Sequence, residues 1–182
     1  MMADGNAALI ALIGVLAGGY VNNFLAEDYR RFRDSTALAG ALAGELGSHM
    51  QAFPLLRTML TSLKTAVEQG ERPALRHFDP PNDPIYESNV GKLGLLGGKL
   101  AEDVAFAYQQ IRAFRLNFVL VLSQHEQMKD AEILARLNSC LDTINRGDAR
   151  AVVLLADLKA LASHQYLETR TRRLRSLIAG IN

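Results

Sequence analysis

Several residue types are scarce or absent in this sequence, and their scarcity narrows the possible functions. Tryptophan is missing, and the single cysteine, Cys140, cannot form an internal disulfide. A chain without an internal disulfide suits a reducing compartment. Lys and Arg number 20 against 19 Asp and Glu, so no excess of positive charge points to nucleic acid. Nucleic acid is therefore a disfavoured partner.

The sequence also lacks the residue spacings that support catalysis or metal binding. The four histidines are scattered, and His125-Glu126 has no second histidine four residues later, as a zinc-protease motif requires. Lys99 follows two glycines, but Leu100 stands where a phosphate-binding loop needs Ser or Thr. We predict no catalytic residue, no metal site and no cofactor, and the sequence favours a non-enzymatic role without deciding it.

What the chain does contain is a long uncharged stretch near its start, Gly5–Ala26. As a helix it would measure about 33 Å, close to the hydrocarbon core of a bilayer at roughly 30 Å. We predict a transmembrane helix over residues 7–26, preceded by a short extracytoplasmic N-terminus at 1–6. The alternative is a buried core helix of a soluble bundle, because the strictly apolar part, Ala7–Val21, is too short to cross alone.

Basic residues follow the uncharged stretch and set the predicted orientation. Arg30, Arg31 and Arg33 lie within eight residues of its end, and no Lys or Arg precedes it. Because cytoplasmic loops carry an excess of Lys and Arg, we expect the C-terminal bulk in the cytoplasm of a bacterial inner membrane. The same arginines are candidates for contact with the membrane surface or a partner.

Small residues recur four apart in two places, a spacing that lets two helices approach closely in lipid. Gly14 and Gly18 lie in the predicted span, and Gly40 and Gly44 in a juxtamembrane helix predicted over residues 27–52. These glycines predict helix association, with a second copy of the chain or another membrane protein as the partner. The alternatives are incidental glycines in the span and a loose connector after it.

The remainder, residues 53–182, reads as a cytoplasmic helical domain. Pro54 is predicted to start a helix and Gly70 to end it, followed by an ordered loop over residues 71–98 that holds four prolines. Apolar residues at helical spacing predict helices over residues 100–124, 126–145 and 148–179, the last beginning after Gly147 with Asp148 as its cap. The fold class is all-α: a transmembrane helix continuing into an antiparallel bundle of about four helices.

The loop contains one motif, Tyr86-x-x-Asn89-x-x-Lys92-Leu93-Gly94-Leu95-Leu96. Asn89 is predicted to cap the turn that begins at Val90, and apolar residues of the loop are predicted to dock on the bundle. The alternative is a ligand or partner site at Tyr86, Asn89 and Lys92. Together with the N-terminal span, the motif resembles a group of uncharacterised bacterial single-span membrane proteins, and the resemblance implies architecture only.

The C-terminal segment interleaves arginine with leucine and isoleucine. Four arginines lie in this segment: Arg170, Arg172, Arg173 and Arg175. They predict either the solvated face of a core helix, or a surface that contacts an anionic membrane or a partner.

Three hypotheses for function follow. The first is a membrane-anchored interaction, scaffold or regulatory protein that self-associates or docks on a membrane complex, with membrane lipid as a partner. The second is a ligand-binding sensor or enzyme whose pocket lies under residues 84–97. The third is a soluble all-helical bundle that buries its own N-terminal helix.

Overall fold

The computed structural model describes residues 3–72, 74–76, 80–167 and 171, and for residues 3–10 and 149 the backbone alone. Within these ranges the chain is helical and contains no strand. The elements in order are α1 (Ala3–Glu68), α2 (Pro84–Asn89), a 3₁₀ helix (Val90–Leu96), α3 (Gly98–Gln124) and α4 (Asp130–Ala162). The prediction of an all-helical protein is confirmed.

Helix α1 is one continuous element of 66 residues, which at 1.5 Å per residue is about 100 Å long. It passes through Pro54, so the separate helix predicted to begin there does not exist. A proline inside a helix removes one backbone hydrogen bond, here the one that the Met50 carbonyl would accept. Leu46 and Leu60 are buried on either side of Pro54, and this tertiary packing outweighs the local preference for a break.

The predicted end of this helix at Gly70 is confirmed. Gly70 has a φ of 79°, a left-handed conformation that glycine adopts without steric cost. The Gly70 N–H donates to the Val67 carbonyl at 3.0 Å, and the Glu71 N–H donates to the Ala66 carbonyl at 2.9 Å. These two bonds form a Schellman motif that pairs the last carbonyls of α1.

Helix α4 is also continuous where the sequence predicted a break. It runs through Gly147, and Asp148 does not cap a new helix but accepts a hydrogen bond from Arg57 Nη2 of α1 at 3.1 Å. A glycine inside a helix costs about 1 kcal/mol relative to alanine. Residues Ile144 and Leu154, buried on either side, hold the helix together across this weak point.

Helix α4 packs closely against both α1 and α3, whereas the backbones of α1 and α3 are held farther apart. The buried residues form two separate clusters along the bundle. One, the proximal cluster, comprises Leu38, Ala39, Leu42, Ala43, Leu46, Leu96, Val104, Tyr108, Leu154 and Leu158. The other, the distal cluster, comprises Leu60, Val67, Phe118, Val121, Leu122, Met128, Ile133, Leu137, Cys140 and Ile144. The core is therefore divided rather than continuous.

Cys140 is fully buried in the distal cluster, as expected of a structural thiol. Burial raises the pKa of the Cys140 thiol to about 12, although the nearby Arg136 guanidinium opposes this shift. Because the thiolate is the reactive form, the folded protein holds this cysteine in an unreactive state.

The continuity of α1 at Pro54 yields the first prediction. Pro54→Ala supplies the missing N–H and should raise the free energy of unfolding by about 1–2 kcal/mol. The matched control is Pro84→Ala at the start of α2, where an N–H has no helical partner and little change is expected. Equilibrium urea unfolding, followed by circular dichroism, measures the stability of both variants. If Pro54→Ala were less stable than the original chain, α1 would not be continuous through this position.

Candidate functional site

The first part of α1 is apolar and exposed. Every described side chain from residue 11 to residue 24 is exposed. The large apolar ones among them have between 53% and 76% of their surface accessible: Leu12, Ile13, Val15, Leu16, Tyr20, Val21 and Phe24. At 100° per residue these positions are spread around the helix, and the widest sector without one holds Gly14 and Gly18. A helix that is apolar all round is normally surrounded by protein or lipid.

The bundle begins where this apolar segment ends. Tyr166, just after α4, donates a hydrogen bond from its hydroxyl to Asp28 Oδ2 at 3.0 Å. Its ring also packs against Tyr29 and Phe32 of α1, with ring centroids 5.1 Å and 5.3 Å away. These contacts join α1 to the residues that follow α4. Among the described residues, no helix is both long and apolar enough to cross a membrane.

The glycines predicted to associate helices fall into two groups. A Cβ added at Gly14, Gly18 or Gly44 would meet nothing within 4 Å, so these positions face open space. At Gly40 an added Cβ would lie 3.6 Å from the Cβ of Ala162, in α4 of the same chain. A methyl group added at Gly40 would therefore make an ordinary van der Waals contact with α4 of the same chain.

The arginines after the apolar segment form local ion pairs on the surface of α1. Arg30 and Arg31 both contact Glu27, and Arg33 contacts Asp34 at 3.3 Å. All three side chains are more than 60% exposed. Exposed pairs of this kind add little stability, so the three guanidinium groups remain accessible for other contacts.

One cavity among the described residues has a volume of about 580 Å³ and lies between α1, α3 and α4. Its apolar lining comes mainly from Met50, Phe53 and Leu56 of α1, Phe106, Ile111 and Phe114 of α3, and Ile144, Ala151 and Leu154 of α4. Pro80 and Pro81 line it as well, and both belong to the linker, the segment between α1 and α2 (residues 69–83). Ligand pockets in proteins typically have volumes of about 300–1,000 Å³.

The cavity occupies the gap between the proximal and distal clusters. Along α4 the inward stripe carries Ile144, then Gly147 and Ala151, then Leu154. A Cβ added at Gly147 would meet nothing within 4 Å, so the missing side chain leaves space unfilled. Small residues on α4 and the separation of α1 from α3 together create the cavity. The sequence does show this change from large to small residues along the apolar stripe of α4. We did not use it to predict a cavity.

Charged groups lie at two places in the lining. Near the start of α3, Lys99 Nζ contacts Asp103 Oδ2 at 2.7 Å, and the Arg150 guanidinium lies 4.7 Å from the centroid of the Phe106 ring. Farther along, Arg115 and His49 reach the cavity from α3 and α1. The lining between these two places is mainly apolar, with Gln110 of α3 as a neutral polar residue.

Arg115 and His49 share one buried carboxylate, that of Asp83 in the linker. Arg115 donates to both Asp83 oxygens at 2.6 Å and 2.8 Å, and His49 Nε2 lies 2.8 Å from Oδ1. Asp83 is only 7% exposed. A buried carboxylate must be paired and hydrogen-bonded, and this arrangement ties the linker to both α1 and α3 beside the cavity.

A second carboxylate, Glu45 of α1, holds the start of α2. Its oxygens accept the N–H groups of Ile85 and Tyr86 at 2.9 Å and 3.0 Å. The Tyr108 hydroxyl donates to Glu45 Oε2 at 2.6 Å, and the Tyr86 ring stacks on the Tyr108 ring at 3.9 Å. Burial raises the pKa of Tyr108, and its hydrogen bond to Glu45 raises that pKa further.

The apolar residues in and beside the loop motif dock α2 and the 3₁₀ helix on the bundle. The side chains of Ile85, Tyr86, Leu93, Leu95 and Leu96 pack in or against the proximal cluster, which confirms the predicted docking. The Asn89 side chain does not cap the turn at Val90, because its Nδ2 donates backwards to the Ile85 carbonyl at 2.8 Å. Lys92 is exposed. None of Tyr86, Asn89 and Lys92 lines the cavity, so the described pocket does not lie under residues 84–97.

The remaining predicted positions give no further site. Arg170, Arg172, Arg173 and Arg175 lie outside the described residues. Across the described ranges, no three side chains of His, Cys, Asp or Glu gather as metal ligands would.

The fold and these features define an all-helical protein with an exposed apolar rod and a cavity inside its bundle. Comparison with known proteins finds no matching family model, no matching curated protein and no matching solved structure. The resemblance inferred from the loop motif therefore stays a prediction.

The docking of α2 on Glu45 is tested by Glu45→Gln. The amide cannot accept all three hydrogen bonds, so the variant should lose about 1–3 kcal/mol of unfolding free energy. Glu87→Gln, an exposed residue of α2, is the matched control and should stay within about 0.5 kcal/mol of the original chain. Urea unfolding of both variants measures the difference. If Glu45→Gln and Glu87→Gln have the same unfolding free energy, Glu45 does not stabilise the docking of α2.

The raised pKa of Tyr108 predicts a stability loss in alkali. An unfolded tyrosine loses its proton near pH 10, whereas the folded protein holds the Tyr108 proton to higher pH. The folded state therefore binds more protons than the unfolded state above about pH 10, and stability falls as pH rises. Tyr108→Phe should weaken this fall, as measured by the melting temperature between pH 8 and 11. A pH dependence identical to that of the original chain would contradict it.

Proposed function

We propose that this chain is a membrane-anchored helical interaction protein, held by its first helix in a bacterial inner membrane. The exposed apolar surface over residues 11–24 of α1 carries the proposal. In water this surface costs free energy roughly in proportion to its area, at about 25 cal/mol per Å². Lipid around the segment removes that cost. The anchor is the uncharged stretch Gly5–Ala26 of the sequence.

The continuity of α1 supports this proposal. The helix passes from the apolar segment into the bundle without a break, so an anchor at one end would hold the bundle close to the membrane surface. Arg30, Arg31 and Arg33 lie at the junction, where their exposed guanidinium groups would meet lipid phosphates on the cytoplasmic side. The N-terminus would then lie outside the cytoplasm.

Self-association is the second part of the proposal. Gly14 and Gly18 face open space one helical turn apart, and small residues at this spacing let two helix backbones approach in lipid. A second copy of the chain is the partner that we propose for this surface, with a subunit of a membrane complex as the alternative. Gly44 lies on the same helix beyond the membrane and also faces open space.

The competing hypothesis of a soluble bundle required later helices to bury the first one. The exposure of residues 11–24 argues against that packing within a single chain. The hypothesis of a sensor or enzyme with a pocket under residues 84–97 loses its support, because the cavity lies between α1, α3 and α4 instead.

Flotation with phospholipid vesicles tests the anchor. The full chain should float with vesicles and resist extraction by alkaline carbonate. The double variant Leu12→Asp/Leu16→Asp should remain at the bottom of the gradient, because each acidic residue at a helix centre costs about 2.5–3.5 kcal/mol in a membrane.

Val152→Asp is the matched control for flotation. Val152 is 57% exposed, close to the 56% of Leu12, but it lies in α4. This variant should float like the original chain. If the double variant floats as well as the control does, or the original chain fails to float, the anchor does not reside in α1.

A further inference from the structure

We propose that the cavity between α1, α3 and α4 is a binding site for a linear, uncharged hydrocarbon chain. The site is distinct from the apolar segment at residues 11–24, and the proposal does not depend on the membrane anchor. It rests on the shape of the cavity, the balance of charge in its lining, and the small residues that keep it open.

The cavity is long rather than round. Its lining on α1 extends from Leu46 to Leu56, about 15 Å of helix, and on α3 from Lys99 to Val119, about 30 Å. Its volume of about 580 Å³ therefore extends along the helices as an elongated channel that is partly open to solvent. A flexible hydrocarbon chain fits this shape, whereas a compact ring system would leave much of the channel empty.

The lining selects against a charged ligand. Its cationic groups already have partners, since Lys99 pairs with Asp103 and Arg115 pairs with Asp83 through two hydrogen bonds. Arg150 lies over the Phe106 ring at the exposed edge of the cavity. The lining carboxylates of Asp103 and Asp157, together with Asp83, match the three cations in number. Between the charged groups the lining is mainly apolar, with Gln110 as a neutral polar residue, so a carboxylate or phosphate there would lose its hydration without gaining an ion pair.

A glycine in the lining helps to keep the cavity open. Gly147 lies in the middle of α4 and costs about 1 kcal/mol relative to alanine, yet no neighbouring atom within 4 Å requires its small size. A larger residue at Gly147 would fill the gap between the two core clusters and stabilise the fold. A partly open apolar cavity of this size leaves its apolar lining exposed to water, and a bound apolar molecule removes that exposure.

Photo-crosslinking with a neutral probe tests the site. The probe is hexadecanol with a diazirine in the middle of its chain, added to the full-length protein in lipid-free amphipol and in phospholipid nanodiscs. Peptide mass spectrometry should locate the label on cavity-lining residues of all three helices, and unlabelled hexadecanol should compete for it. Suppression of the label in nanodiscs would identify phospholipid chains as the natural source, and equal labelling in both media would identify a free hydrocarbon chain.

Two glycine variants supply the decisive comparison. Gly147→Phe places a ring inside the cavity and should lower labelling of the cavity peptides about tenfold while the melting temperature rises. Gly44→Phe, at an equally open glycine inside α1, should leave cavity labelling unchanged. Ala151→Leu, which adds volume to the lining without a glycine change, should reproduce the loss of labelling.

Two results would contradict the proposed binding site. One is the absence of label from the cavity peptides of the original chain. The other is equal cavity labelling in Gly147→Phe and Gly44→Phe when both are folded. Labelling of residues 11–24 in nanodiscs reports lipid contact by α1 separately, so a failed cavity site and a failed anchor give different label maps.

Discussion

A mismatch of length between α1 and the helices that cover it underlies the rest of this structure. Helix α1 has 66 residues, whereas α3 has 27 and α4 has 33. Two shorter helices can shield only part of a rod about 100 Å long. The covered part becomes the core of the bundle, and the uncovered part leaves apolar side chains exposed from residue 11 to residue 24. The proposed anchor is therefore a direct consequence of helix length.

The same architecture explains why the core is divided. Helix α4 contacts both α1 and α3, which remain apart, and its small residues Gly147 and Ala151 leave the space between them unfilled. The linker closes one side of this space through Asp83, which joins His49 of α1 to Arg115 of α3. Glu45 holds the start of α2 by accepting the N–H groups of Ile85 and Tyr86, and it also accepts a hydrogen bond from Tyr108 of α3. The buried Asp83 and the half-buried Glu45 thus position the chain between α1 and α3 through hydrogen bonds.

Local sequence signals predicted some of these elements and failed for others. The amphipathic stretch expected over residues 100–124 is α3, and Gly70 ends α1 as its glycine geometry implied. Pro54 and Gly147, read as breaks, lie inside continuous helices because buried residues on both sides hold each helix together. Local preferences of about 1–3 kcal/mol are small beside the packing of several core residues.

The sequence by itself determined the helical class, the uncharged N-terminal stretch, and the burial of Cys140, because each depends on composition or on spacing along a single helix. Only the tertiary structure decided the cavity, the two carboxylate networks and the position of Gly40 against Ala162. Glu45 is separated from Tyr108 by 63 residues in sequence, and Asp83 from Arg115 by 32. Periodicity within one helix carries no information on which distant helix will face it, so these contacts arise only when the chain folds.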